Sequence, residues 1–186
     1  MRRFATRRAL AALLAAPLCA AAACSPNAST SPDAAAGGCQ PYVSTANLDT
    51  PVVSFAADVT PILRGTCALS DSCHGDPSVV AESRPFLGFA DVDAGMTAAQ
   101  TIIDGLVGVK STEDLSMNLI TAADPSQSFL MHKIDDDQCT LIAQCMMGPS
   151  FRPNCGVFMP YQYPDILDVA TRDVLRRWIK QGARNN

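Results

Sequence analysis

The sequence predicts an all-α domain, small, rich in loops and stapled by disulfides. Three observations carry that expectation. Apolar residues recur at helical spacing in four separate stretches, whereas strand signals are weak and confined to 50–55 and 86–89. Thirteen prolines and eleven glycines divide the 186 residues into short helices joined by long loops. Eight cysteines are many for a cytosolic chain of this size and ordinary for an exported one.

The chain opens on an export signal, expected over residues 1–23. Arg2, Arg3, Arg7 and Arg8 form a basic start, and Ala9 to Ala23 is an apolar run too short to span a membrane as a helix. Ala21-Ala22-Ala23-Cys24 resembles a bacterial lipobox, which implies that Cys24 is lipidated and begins the mature chain. The leucine usual three places before the cysteine is Ala21 here, so plain cleavage nearby is the alternative. Loss of the signal takes four of the 14 basic side chains and none of the 18 acidic ones, leaving a formal charge of −8. That balance argues against nucleic acid as a partner and against adhesion to anionic lipid; an acidic carrier suits a partner with a basic docking face.

Residues 24–50 read as the anchor cysteine followed by a tether. Ser25 to Gly38 is almost entirely Ser, Pro, Ala and Gly, which buries nothing. The folded domain is expected over 51–186, about 135 residues around one core.

Within it the helices follow in order. Phe55, Val59, Ile62 and Leu63 share a helical face that Pro61 interrupts, so the expectation is a helix capped by Thr60, with Pro61 at its first position, running into Cys67. Thr97-Ala98-Ala99-Gln100 is a capping-box pattern before Ile102, Ile103, Leu106 and Val107. Asp124-Pro125-Ser126-Gln127 opens a third helix, striped by Phe129, Leu130 and Ile134. In the last helix Val174, Leu175, Trp178 and Ile179 form the buried face, Arg176, Arg177 and Lys180 are expected in water, and Gly182 ends it. Asp135-Asp136-Asp137 reads as a solvated helix end, since no glycine and no distal glutamate complete a calcium loop.

The chemistry concentrates in Cys67-Ala-Leu-Ser-Asp-Ser-Cys73-His74-Gly75. Two thiols beside an imidazole are what covalent haem attachment uses: the sulfurs add to the vinyl groups and the histidine ligates the iron. The usual spacer is two residues and here it is five, so three residues must bulge out for both sulfurs to reach. Met159, fixed by Pro160 and placed before the last helix, is the candidate second ligand, because a thioether opposite histidine suits an electron carrier. Met146 and Met147 are the fallback, His132 offers a minor bis-histidine alternative, and Met117 and Met131 read as core filler. With Cys67 and Cys73 on haem, Cys39, Cys139, Cys145 and Cys155 remain and allow three pairings. Cys145 with Cys155 is favoured because it would brace the loop bearing Met159; Cys39 with Cys139 would then pin the start of the domain.

Phe55-x2-Asp58-Val59-x-Pro61-Ile62-Leu63, Cys67…Cys73-His74-Gly75, Asp124-Pro125-x2-Ser128-Phe129-Leu130-x2-Lys133-Ile134, Met159-Pro160 and Trp178-Ile179-x-Gln181-Gly182-Ala183 together resemble the exported bacterial cytochrome c-like domains over most of 51–186. The resemblance implies a helical fold in which the first and last helices pack beside a haem c. It implies Cys67 and Cys73 as thioether sites, His74 as proximal ligand and Met159 as distal ligand. The expected function is a one-electron carrier of the cell envelope, periplasmic or held in the outer membrane as a lipoprotein, serving redox partner proteins there. The rival reading is a haem-free, disulfide-stapled binding or structural module in which Cys67 and Cys73 bond to each other. A zinc site built on Cys67, Cys73 and His74 is a third, disfavoured by export. No G-x-S-x-G, H-E-x-x-H or phosphate-binding loop is present, so an enzyme is not expected. A small peroxidase or oxidase subunit is the alternative if the iron keeps an open position.

Overall fold

The computed structural model describes residues 39–77, 85–88, 96–145, 155–161 and 166–186. The signal peptide, Cys24, the Ser/Pro/Ala/Gly tether, Phe89, Met146 and Met147 lie outside those residues.

A helical segment spans residues 55–67, and its first residue shows why it starts earlier than Pro61 suggested. Ser54 has extended backbone angles and its hydroxyl accepts from the Ala57 amide at 3.2 Å, while the Asp58 carboxylate reaches back to the Ser54 amide at 2.8 Å. This reciprocal cap is a better start than Thr60. The segment is not uniform: π-helical turns at Phe55–Val59 and Leu63–Cys67 flank a short α-turn, Thr60–Ile62, that contains Pro61. Proline has no N–H to give, and it sits where the hydrogen-bond register changes. The wide turns also have a packing consequence. Phe55, Val59, Leu63 and Cys67 are all buried at a spacing of four. In a regular helix that spacing drifts by about 40° per step. Underwinding keeps the four on one stripe and brings Cys67 into the core at its end.

The C-terminal helix, Val169–Lys180, is capped by Asp168, whose carboxylate accepts from the Thr171 amide at 3.0 Å. Leu175, Trp178 and Ile179 are buried, and the Trp178 ring meets Phe55 with centroids 5.1 Å apart. Gly182 turns the chain at φ +102°, so that the Ala183 amide returns to the Trp178 carbonyl and the Gly182 amide to that of Ile179. The end of the chain then folds back: the Asn186 side chain accepts from the Phe55 amide and donates to the Val53 carbonyl. Gln181 holds the approach to the first helix, accepting from the Val53 amide and donating to the Pro51 carbonyl.

The helix Met96–Asp104 adds Ile102 and Ile103 to the same core, followed by Leu106. Thr97 lies inside that helix and is not its cap. The Asp124-Pro125 start caps a separate turn: Asp124 accepts from the Ser126 amide over a 3₁₀ turn, Pro125–Gln127. The backbone then extends at Ser128, and the helix Phe129–Asp135 begins anew. Ser128 ties the junction through its hydroxyl, which donates to the Asp124 carbonyl and accepts from the Thr121 amide. Among the described residues there is no strand, only isolated bridges such as Val107 with Ile120. The all-α, disulfide-stapled expectation therefore stands.

Two disulfides follow the favoured pairing. Cys39–Cys139 closes a separation of 100 residues and Cys145–Cys155 one of 10. The second is buried in a small cluster of its own with Met117 and Phe129, apart from the main core.

The acidic run Asp135-Asp136-Asp137 is not a solvated end, and Arg176 is not in water. Asp135 accepts from Arg172 at 2.8 Å and from Arg176 at 2.6 Å, and Arg176 also donates to Asp173, all with largely buried side chains. The Tyr42 ring covers both guanidinium groups, at 4.4 Å from Arg172 and 4.8 Å from Arg176. The charges are buried because they neutralise one another beneath that ring. Asp135→Ala leaves two guanidinium groups buried without their shared carboxylate, and it should lower unfolding free energy in urea by about 3–5 kcal/mol. A change under 1 kcal/mol would mean that water reaches the cluster.

Candidate functional site

Cys67 closes the first helix and lies buried at the end of its apolar stripe. Burial pushes its thiol upward from the ordinary cysteine pKa, and the neighbouring Thr66 hydroxyl offsets this in part. Cys67 is the free thiol among the described residues, whereas Cys73 is held in a disulfide. The two sulfurs are therefore not joined to each other, which removes the pairing on which the haem-free reading rested. The physical reason is their setting: Cys67 is turned into the core by the helix, and Cys73 stands beyond an exposed bulge.

That bulge is the five-residue spacer. Ala68 is buried, while Leu69, Ser70 and Asp71 are exposed. The Ser70 carbonyl closes the turn by accepting from both the Cys73 amide, at 3.0 Å, and the Gly75 amide, at 3.1 Å. Gly75 has no room for a side chain, because a Cβ there would lie 2.8 Å from the Ser70 oxygen. The extra residues thus loop outward and return the chain to His74.

His74 is half-buried and its ring is held by geometry. Nδ1 lies 2.7 Å from the Pro85 carbonyl oxygen, which only accepts, so Nδ1 carries a proton and donates it there. The backbone adds a second tie, the Leu87 amide donating to the His74 carbonyl at 2.9 Å. Phe86 and Leu87 are buried beside it in the same core cluster as Cys67.

Met159 packs half-buried against that cluster, and its amide donates to the Lys133 carbonyl at 2.8 Å. Met117 and Met131 are core residues, as their sequence positions suggested. His132 belongs elsewhere: Nδ1 lies 2.7 Å from the Asp137 carboxylate and Nε2 3.3 Å from the Ser126 carbonyl. Asp137 in turn accepts from the Tyr42 amide at 2.6 Å. His132 is thus a linker between helix end and lead segment.

The observed geometry brings Cys67, the segment following His74 and Met159 onto one core. Among the described residues no three His, Cys, Asp or Glu side chains converge as a metal site. A haem iron would need an imidazole and one further ligand; the candidates among the described residues are the His74 ring, held by Pro85, and the Met159 thioether, while of the two candidate attachment sulfurs Cys67 is a thiol and Cys73 is in a disulfide. Two residues were missed from the sequence. Pro85 falls in a stretch without periodicity and carried no signal. Lys133 did carry one, a lysine one turn after Phe129 on an otherwise apolar face.

Comparison of the chain with protein-family models, with curated proteins and with solved structures gives no match.

The His132 contacts set a pH dependence. Burial disfavours its charged form, but the hydrogen bond and charge of Asp137, the Ser126 carbonyl and the charge of Asp135 outweigh this and raise its pKa above the ordinary histidine value. Its contribution to stability is then full below the unfolded-state pKa of about 6.5 and is lost as pH rises through the higher folded value. Urea titrations of the wild type and His132→Gln should differ most just below pH ~6.5 and converge on the alkaline side. A difference that grows with pH would reverse the assignment.

Proposed function

We propose that this chain is a one-electron carrier of the cell envelope that holds haem c through Cys67, Cys73, His74 and Met159. The observation that carries the reading is the hydrogen bond between His74 Nδ1 and the Pro85 carbonyl. Metal-ligating histidines commonly donate their other ring N–H to a backbone carbonyl, as His74 Nδ1 does to Pro85. When bound, the haem supplies an iron that passes between ferrous and ferric states and so moves one electron.

The chain's own residues do the rest. Cys67 and Cys73 provide the two sulfurs, on either side of a bulge that takes up the surplus spacer. His74 presents Nε2, and Pro85 prevents the ring from turning. Met159 offers its sulfur from a loop fixed to the neighbouring helix. Phe86 and Leu87 keep water from the His74 side of the core. The disulfides suit an oxidising compartment, and no helix among the described residues is long and apolar enough to cross a membrane. Membrane attachment in this reading is by a lipid on Cys24, with the tether letting the domain reach redox partner proteins that present a basic face.

One observation favours a second reading. Cys73 is in a disulfide, and a thioether forms only from a thiol, so attachment requires an external dithiol reductant first to cleave that bond, the reductant becoming the disulfide as the two cysteines become thiols. A chain in which it stays closed is a haem-free, stapled module of the cell surface.

Expression of the full chain with haem-maturation machinery separates the two. The carrier reading predicts a red protein whose Soret band survives acid–acetone extraction, and His74→Ala should perturb the spectrum without freeing the haem. A colourless, correctly folded product, with Cys73 still in its disulfide by mass spectrometry, would establish the second reading.

A further inference from the structure

Lys133 lies on the buried side of the short helix Phe129–Asp135. Its side chain is about nine-tenths buried. Among the described residues three groups receive the ammonium. The Cys155 carbonyl accepts from Nζ at 2.7 Å, a Glu113 carboxylate oxygen lies at 3.4 Å, and the Phe129 ring centroid is 5.7 Å away. The backbone of the same residue makes the other contact that matters, accepting the Met159 amide at 2.8 Å. Lys133 therefore grips the 155–159 loop at both ends, by its side chain at Cys155 and by its main chain at Met159.

The loop is shaped to that grip. Cys155 and Gly156 both have positive φ, +58° and +76°. A Cβ on Gly156 would stand 3.1 Å from Nζ and 3.4 Å from the Glu113 carboxylate. Glycine at this position lets the backbone close over a buried charge pair. Burying an ammonium is costly, and an apolar side chain of similar volume often serves packing as well or better. Here the ammonium donates to the carbonyl of a loop residue beside the Glu113 carboxylate, an arrangement that ties the loop to the helix.

We propose that Lys133 is the positioning residue for Met159, holding through Cys155 and Gly156 the loop from which that sulfur reaches the iron. This rests on the haem reading. Glu113 neutralises the ammonium so that it can stay buried, and the Cys145–Cys155 disulfide fixes the same loop from its other side.

The test uses the full chain matured with haem, as wild type and as Lys133→Met, Lys133→Arg and Gly156→Ala. Lys133→Met should keep acid–acetone-resistant haem but lose the far-red methionine-to-iron charge-transfer band. It should also bind added imidazole about tenfold more tightly, because the distal position is open for a larger fraction of the time. Lys133→Arg retains a donor for the Cys155 carbonyl and should restore both properties. Gly156→Ala displaces the ammonium while leaving the charge in the chain, and should reproduce the loss.

A second readout needs no haem. In the haem-free full chain, hydrogen exchange at the Met159 amide should be about tenfold faster in Lys133→Met, with the C-terminal helix unchanged. An intact band with wild-type imidazole affinity in Lys133→Met overturns the proposal, as does a Lys133→Arg protein that fails like the methionine variant. If Lys133→Met does not fold, an intact band in Gly156→Ala overturns it. A wild type that carries haem without the far-red band removes Met159 as ligand, and a wild type without haem removes the carrier reading; either takes this proposal with it. An intact band throughout sinks this proposal alone.

Discussion

The contact between Phe55 and Trp178 is the one on which the rest of the structure depends. It joins the first helix to the last, and both rings are fully buried. Truncating a buried aromatic of this kind removes about 3–5 kcal/mol, whereas each hydrogen bond that Asn186 and Gln181 make nearby contributes about 1 kcal/mol net. The aromatic pair therefore decides that the helices meet, and the polar side chains decide in what register. Phe55 also begins the stripe that ends at Cys67, so the register chosen there is carried along the underwound helix to the thiol. The position of the candidate site is thus set at the opposite end of the helix that bears it.

A second layer of restraint acts on residues 39–53, which run over the C-terminal helix without secondary structure of their own. The Cys39–Cys139 bond closes a loop of about 100 residues and, in the chain-entropy account, is worth nearly 5 kcal/mol. Tyr42 covers Arg172 and Arg176, Ser44 donates to Asp173 at 2.8 Å, and Asn47 accepts from Arg177 at 3.0 Å. Buried ion pairs are poor sources of net stability. What they add here is selectivity, because Tyr42 has one place to lie and Asp135 is the shared acceptor beneath it. The disulfide makes the segment stay, and the charges say where.

Much of this was legible in the sequence, and the exceptions have physical reasons. The apolar stripes ending at Leu63 and at Ile179 were readable because periodicity records burial directly. The start at Ser54 was hidden by Pro61, whose usual meaning as a first-turn residue holds for a helix of regular pitch and fails where wide turns absorb it. Asp135 and Arg176 were misread because a charged residue on a helix usually faces water, and only the tertiary contact with Arg172 and Tyr42 reverses that. Asp124-Pro125 was correctly seen as a start but of a 3₁₀ turn, since Ser128 interrupts before the helix resumes. Of the candidate site, the residue types were visible and the supports were not. A proline carbonyl that fixes a histidine tautomer leaves no pattern, because any residue can supply a carbonyl.

The contrast between Cys67 and the other described cysteines follows from the same packing. In an oxidising compartment a thiol persists if it reacts slowly, and the attacking species is the thiolate. Burial at the end of the first helix's stripe raises the Cys67 pKa and so depletes its thiolate, with the Thr66 hydroxyl only partly restoring it. Cys39, Cys73, Cys139, Cys145 and Cys155 are all bonded; Cys67 alone is withheld. A free cysteine in such a place packs as a small apolar group, as Cys67 does in the main core. The helix geometry that buries Cys67 is the same underwinding that aligns it with Phe55.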